Sequence, residues 1–188
     1  MRAIEVARRT GGYSRFIKLY DRLFGKGYDP KDARSHMAKF IREEIRNPVA
    51  GSGGFWSDHM DKWLSAKEAG RKVVLVSYES LLTDCQAALS RVLQELTGED
   101  ANAEDIAAAI NRFSFKRMSG GRKQGEEDGK SHMRKGVAGD WVNHFTREAA
   151  EIFDAKAGSM LKRLGYAEGT GWWSVLDKRG ASDEVKVS

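Results

Sequence analysis

Apolar side chains recur every three to four residues along most of this chain, the spacing that places them on one face of a helix. The pattern predicts helices over residues 13–24, 30–47, 55–64, 84–97, 103–112 and 147–164. Capping residues stand at several of the predicted starts: Asp29 before the second helix, Thr83 with Gln86 before the fourth, and Thr146 before the last. The chain is therefore expected to be mostly helical. The predicted buried faces are Met37, Phe40, Ile41 and Ile45 in the second helix, Leu89, Val92, Leu93 and Leu96 in the fourth, and Ile106, Ala109, Ile110 and Phe113 in the fifth.

One short segment breaks the helical pattern. Val73 to Val76 form a continuous run of β-branched and apolar residues, which is typical of a strand buried on both faces of a parallel sheet. A strand followed by a capped helix is half of a βαβ unit. The sequence thus predicts an α/β fold with one or two parallel strands, and a sheet this small indicates part of something larger.

The 188 residues are 40% apolar and 31% charged, which suits one globular domain. We expect that domain to cover residues 1–170 and a polar tail to cover 171–188. No apolar run approaches the roughly 20 residues that cross a bilayer, so no membrane partner is predicted. A lone cysteine, Cys85, cannot form an internal disulfide, which agrees with a cytoplasmic location.

The net charge of +5 and the pI near 9.3 suit a protein that binds nucleic acid, a membrane surface or a polyanionic small molecule. A basic stretch over residues 120–123 is the best case for nucleic acid. It lacks interleaved aromatic residues and a helix that would read a groove, so we expect no nucleic-acid partner. A steep salt dependence of duplex binding would favour the opposite interpretation.

Regular periodicity stops between Ser114 and Asn143, where glycine and basic residues prevail. A loop of this length in a compact domain is usually functional. It contains Arg134, Lys135 and Gly136, two adjacent cations and a glycine whose backbone can approach a ligand closely. These groups suit a phosphate monoester, although an ordinary solvated turn would have the same composition.

The run Arg134-Lys135-Gly136-Val137-Ala138-Gly139-Asp140-Trp141-Val142-Asn143-His144-Phe145-Thr146 resembles the RKGxxGDWKNxFT signature of the cytosolic-type sulfotransferase family. It departs from the signature only at Val142, where lysine is usual. The resemblance implies the C-terminal portion of a P-loop-kinase-like sulfotransferase fold and an enzyme that uses the sulfate donor PAPS, with adenosine 3′,5′-bisphosphate as product. Arg134, Lys135 and Gly136 would then hold the donor's 3′-phosphate.

Further segments resemble the same family in the expected order. The segment 54–60 is similar to its glycine-tryptophan-histidine segment, and Tyr78 lies in a stretch similar to its YEDLL element, where the tyrosine contacts the adenine. Ser114, Phe115 and Met118 match an element that borders the adenine. The alternatives are a core tyrosine at the end of a strand, and side chains that merely close a helix.

Near the N-terminus, Arg2 to Val6 resemble a remnant of the family's RxPxxV motif. That resemblance implies that Arg2 also binds the 3′-phosphate, assisted by a hydroxyl at Thr10. Ile4 stands where the motif has proline, so a chance match is the alternative.

The family's lysine-containing phosphate loop and its catalytic histidine have no counterpart in this sequence. We therefore assign no catalytic residue, and the four histidines and one cysteine show no metal-ligand spacing. The expected function is sulfuryl transfer from PAPS to a hydroxyl or amine of a small-molecule acceptor, by a chain that retains mainly the nucleotide-binding half. A catalytically inactive fragment that binds adenosine 3′-phosphates is the alternative, and unpaired sheet edges would favour self-association.

Overall fold

The computed structural model describes residues 21–25, 32–48, 54–128, 131–169 and 171–177. Its helices are α1 (Ala33–Arg46), α2 (Trp56–Glu68), α3 (Tyr78–Thr83), α4 (Cys85–Thr97), α5 (Ala103–Arg112), α6 (Phe115–Met118) and α7 (Arg147–Arg163), with a 3-10 turn over Asp140–Asn143. Residues 21–24 and 174–177 are also helical. The chain divides into two compact units, a first unit of residues 1–62 and 141–188 and a second unit of residues 63–140.

The core of the first unit lies where α1 packs against α7. Ala149 and Ala157 of α7 are completely buried, and their small side chains let the two helix backbones approach closely. Ile41 of α1 and Phe55 lie in the same cluster, surrounded by partly buried apolar residues that include Met37, Phe40, Ile45, Ile152 and Phe153. The apolar stripe predicted for the second helix is therefore confirmed.

An aromatic cluster extends this core. Trp172 lies 5.1 Å from Trp141 and 6.4 Å from Phe153 between ring centroids, and its indole nitrogen donates a 2.9 Å hydrogen bond to Asp154. Leu176 is buried as well. Residues 171–177, expected to belong to a polar tail, thus pack within the first unit, and the rest of that tail lies outside the described residues.

In the second unit α4 packs against both α3 and α5, and Ala88 and Ile106 are buried. Gly98 ends α4 in the left-handed conformation, with φ of 83°, as its position predicts. The predicted cap of α4 is wrong by one residue. Asp84 accepts a hydrogen bond from the Ala87 N–H, whereas Thr83 ends α3 and its hydroxyl donates to the Glu79 carbonyl.

The observed cap of α1 differs from the predicted one, and Asp29 itself lies outside the described residues. The Asp32 carboxylate accepts the N–H of Ser35 and caps the helix, three residues after the predicted Asp29. The cap of α7 is confirmed, since the Thr146 hydroxyl accepts the N–H of Ala149 at 3.2 Å. Side chains that can cap are common in these stretches, and the packing of the helix decides which one is used.

The predicted strand is not formed in the described part of the chain. Residues 71–77 belong to no helix or strand, and Val76 is 41% exposed instead of buried on two sides. A strand needs a neighbour to take its backbone hydrogen bonds. Here the Leu75 carbonyl accepts from the Arg91 guanidinium at 2.9 Å, so a side chain satisfies a group that a sheet would have paired.

Two further expectations about burial fail in the second unit. Phe113, predicted to lie on the buried face of α5, is 63% exposed, and Leu93 and Leu96 of α4 are each about two-fifths exposed. No helix that the structure describes is both long enough and apolar enough to cross a membrane.

Candidate functional site

The basic loop of the second unit is held together by backbone hydrogen bonds between its two limbs. The Gly125 N–H donates to the Lys135 carbonyl at 2.8 Å, and the Asp128 N–H donates to the Arg134 carbonyl at 2.9 Å. Arg122 joins the limbs a second time. Its guanidinium donates to the carbonyls of Glu126, Met133 and Arg134. The loop therefore has a defined register despite its lack of regular structure.

Arg134 and Lys135 lie in a cluster of four charges that this register brings together. The Asp140 carboxylate accepts one hydrogen bond from the Arg134 guanidinium and one from the Lys135 ammonium, the latter at 2.6 Å. Glu127 accepts from Arg134 at 2.6 Å and lies 3.9 Å from the Lys135 nitrogen. Each carboxylate thus contacts both cations.

The two carboxylates differ in burial. The Asp140 side chain is 9% exposed, whereas that of Glu127 is 47% exposed. The hydrogen bond to Asp140, assisted by that to Glu127 and opposed by burial, raises the pKa of Arg134 above its usual value. Because two cations face two carboxylates, the cluster as a whole carries no net charge.

Gly136, the third residue of the predicted phosphate site, lies directly against Phe115. Its φ of +68° is in the left-handed region. A Cβ atom at this position would lie 2.5 Å from the Phe115 ring, closer than any packed carbon. The guanidinium carbon of Arg122 lies 5.4 Å from the centroid of the same ring. Phe115 therefore packs against the basic loop at Gly136.

The remaining predicted adenine contacts lie on two elements of the same unit. Ser114 precedes α6 and its hydroxyl donates to the Asn111 carbonyl at 3.1 Å, while Met118 ends α6 and is 49% exposed. Tyr78 begins α3 and is 49% exposed, which excludes the alternative of a core tyrosine. Arg2 and Thr10 lie outside the described residues.

Three residues of this site have no role that the sequence alone predicts: Arg122, Glu127 and Asp140. Asp140 lies within the signature itself and could have been suspected from its place beside two cations. Glu127 belongs to the acidic run 126–128, which is out of place in a basic loop. Nothing in the sequence indicates the contacts of Arg122, since its partners are backbone carbonyls.

The first unit contains an apolar cavity of about 420 Å³. Its walls are mainly aromatic and aliphatic, and its polar groups come from Glu44 and His59. The apolar lining residues are Met37, Phe40, Ile41, Phe55, Trp56, Phe145 and Phe153. Such a surface suits the apolar part of a small molecule.

Among the described residues, no three His, Cys, Asp or Glu side chains are grouped so that they could hold a metal ion. Two of the histidines have neighbours in the first unit. The ring of His36 lies 4.8 Å from that of Phe24, and His59 lines the apolar cavity.

The family model and the individual proteins that match this chain agree on one family. The family model described as "Sulfotransferase domain" matches residues 20–165. The chain is 32% identical to the 3-beta-hydroxysteroid sulfotransferase of Cavia porcellus over 133 residues, which are 66% of this chain and 44% of that protein. It is 25% identical to Sulfotransferase 2B1 of Mus musculus over 153 residues, 74% of this chain and 41% of that protein.

Human Sulfotransferase 2A1 is 32% identical over 109 residues, 54% of this chain and 38% of that protein. The chain therefore spans less than half the length of the curated relatives it matches. No solved structure matches it significantly.

Proposed function

This chain belongs to the sulfotransferase family, and from that premise we propose that it carries the nucleotide-binding part of an enzyme that transfers a sulfuryl group from PAPS. The donor supplies the activated sulfuryl group. The chain's own residues bind and orient the nucleotide. The observation that carries the proposal is the pairing of Arg134 and Lys135 beside Gly136, on a loop whose register is fixed by backbone hydrogen bonds.

The chemistry of this loop supports a phosphate monoester as ligand. Arg134 offers a planar fork of N–H donors, and Lys135 offers a compact charge next to it. Both side chains are reachable from water, at 38% and 24% exposed. Gly136 has a backbone that a ligand can approach closely, and Asp140 accepts hydrogen bonds from both cations.

For the adenine we propose the surface formed by Phe115 and Met118, with Ser114 at its edge and Tyr78 as a further contact. An aromatic ring and a thioether are common surfaces for a purine. Met118 and Tyr78 are half exposed, so apolar surface is available for stacking. Arg2 and Thr10 remain proposed contacts of the 3′-phosphate.

We propose a small alcohol or amine on an apolar body as the acceptor. The matched relatives include proteins named as hydroxysteroid sulfotransferases, and a steroid alcohol is an apolar body of this kind. The apolar cavity of the first unit supports the same class of molecule. Cys85 is a free thiol, which supports the cytoplasm as the location.

The test is a calorimetric titration of the purified chain with adenosine 3′,5′-bisphosphate. The double variant Arg134→Ala/Lys135→Ala should bind about a hundredfold more weakly, because two charge-assisted hydrogen bonds are lost. The matched control is Arg71→Ala/Lys72→Ala, which removes another adjacent arginine and lysine, both exposed, from the second unit. That control should bind like the unaltered chain.

Equal losses of affinity in the two double variants would mean that binding depends only on general positive charge. That result would contradict a specific phosphate site. If the folded chain does not bind adenosine 3′,5′-bisphosphate, the nucleotide-binding proposal is wrong. A parallel assay with radiolabelled PAPS and a hydroxysteroid separates an active transferase from an inactive fragment that only binds the nucleotide.

A further inference from the structure

Glu127 is held at a fixed place opposite the two cations. Backbone hydrogen bonds flank it in the chain, from Gly125 to Lys135 on one side and from Asp128 to Arg134 on the other. The limb that carries Glu127 therefore cannot slide along the limb that carries the cations without breaking these bonds. Its carboxylate contacts Arg134 and Lys135 because of this register.

The cluster has an inner and an outer carboxylate. Asp140 is nearly buried and accepts from both cations at once, as a residue that fixes their positions should. Glu127 is about half exposed, so water reaches the carboxylate that contacts both cations. An anion that binds Arg134 and Lys135 must compete with Glu127 for them.

From this arrangement we infer that Glu127 is an internal competitor for the anionic ligand and that its side chain must swing away before a phosphate binds. The inference rests on the proposed function and adds a residue that sets its affinity. With Glu127 in place the cluster is neutral, and with Glu127 displaced one positive charge remains uncompensated. A phosphate dianion competes for the two cations better than a ligand with a single negative charge, so Glu127 also favours the doubly charged ligand.

The test compares two variants that remove the same charge from neighbouring positions. Glu127→Gln should bind adenosine 3′,5′-bisphosphate roughly threefold to tenfold more tightly than the unaltered chain, since exposed ion pairs are worth about that much. Glu126→Gln is the matched control. The Glu126 carboxylate accepts from the Lys123 N–H and contacts neither Arg134 nor Lys135. The Glu126→Gln variant should therefore bind the nucleotide as tightly as the unaltered chain.

Asp140→Asn tests the opposite role and should weaken binding, because the two cations lose the group that positions them. Equal affinity for Glu127→Gln and Glu126→Gln, or weaker binding by Glu127→Gln, overturns the inference while leaving the phosphate site intact. Binding by Glu127→Gln alone would support it most strongly. If no folded variant binds, the proposed function fails and the inference fails with it.

Discussion

Gly136 is the residue of the candidate site whose identity the geometry restricts most tightly. Two independent features exclude a side chain here: the left-handed backbone and the Phe115 ring that occupies the space of a Cβ. Gly139, three residues later, has a similar φ of +75° but nothing within 4 Å of a Cβ position. Substitutions at Gly136 and Gly139 therefore separate the free-energy cost of backbone strain from the cost of displacing a packed side chain.

We predict that Gly139→Ala costs about 1–2 kcal/mol of stability from its backbone conformation alone. Gly136→Ala should cost a further 1–3 kcal/mol or so, because the new methyl group must displace the Phe115 ring. Urea denaturation of both variants measures the difference. Equal losses would mean that Phe115 moves aside freely and does not support the loop.

At the residue scale the sequence identified the cations but not their partners. Arg134 and Lys135 belong to a recognisable motif, and their charge makes them candidates without a structure. Glu127 lies seven residues before Arg134, and only the pairing of the two limbs of the loop makes it a neighbour.

At the scale of elements, α2 is fixed at its start and along its length. The Asp58 carboxylate accepts the Phe55 N–H at 3.0 Å, so it caps the helix from its third residue. The same carboxylate accepts from Lys156 of α7 at 2.6 Å, and Asp61 pairs with Arg163 of α7 at 3.0 Å. The hydrogen bond from Lys156, helped by that from Phe55 and opposed by burial, lowers the pKa of Asp58.

A lowered pKa in the folded state means that Asp58 contributes stability above its unfolded pKa of about 3.9 and loses it as the pH falls through the lower folded value. We predict that Asp58→Asn costs a few tenths to about 1 kcal/mol at neutral pH, because the carboxylate is 40% exposed and partly screened. The difference from the unaltered chain should vanish in acid. Thermal denaturation at several pH values measures it.

Asp61→Asn is the matched control, since it removes an ion pair to the same helix, whereas Asp58→Asn also replaces the charge-assisted hydrogen bond from the Phe55 N–H by a neutral one. It should cost less than Asp58→Asn at neutral pH. An equal cost would indicate that the ion pairs, and not the cap, stabilise the start of α2.

Element types were predicted better than element boundaries. The helical spacing of apolar residues survives in any context that buries one face, and α1, α2, α4, α5 and α7 all form where it occurs. The cap of α4 moved from Thr83 to Asp84 because α3 uses Thr83 as its last residue. The strand predicted at 73–76 is not confirmed, because strand pairing is a property of two segments and no second strand lies in the described part of the chain.

For the whole molecule, the two units differ in their cores. The first unit buries alanines, Ile41, Phe55 and Met160, whereas Ala88 and Ile106 are the buried apolar residues described in the second. The second unit also exposes large apolar side chains, among them Val76, Tyr78, Leu93, Leu96, Phe113 and Met118. Apolar surface of this kind commonly marks contact with another protein surface or a tendency to associate.

We therefore predict that the chain self-associates in a concentration-dependent way through the second unit. The double variant Leu93→Gln/Leu96→Gln should reduce association without loss of helix, because both leucines are about two-fifths exposed and glutamine is a good helix former. Sedimentation velocity over a range of concentrations measures this, with circular dichroism as the check on folding. A monomer at every concentration would contradict the prediction.

The sequence by itself determined the existence of α1, α2, α4, α5 and α7, the two cations and the family that the comparisons confirm, because each depends on residues close together in the chain. The tertiary structure decided the rest. It left 73–76 without a paired strand, set Phe115 beneath Gly136, and placed Asp140 and Glu127 around Arg134 and Lys135. These contacts depend on how one segment packs against another, which no local pattern of residues records.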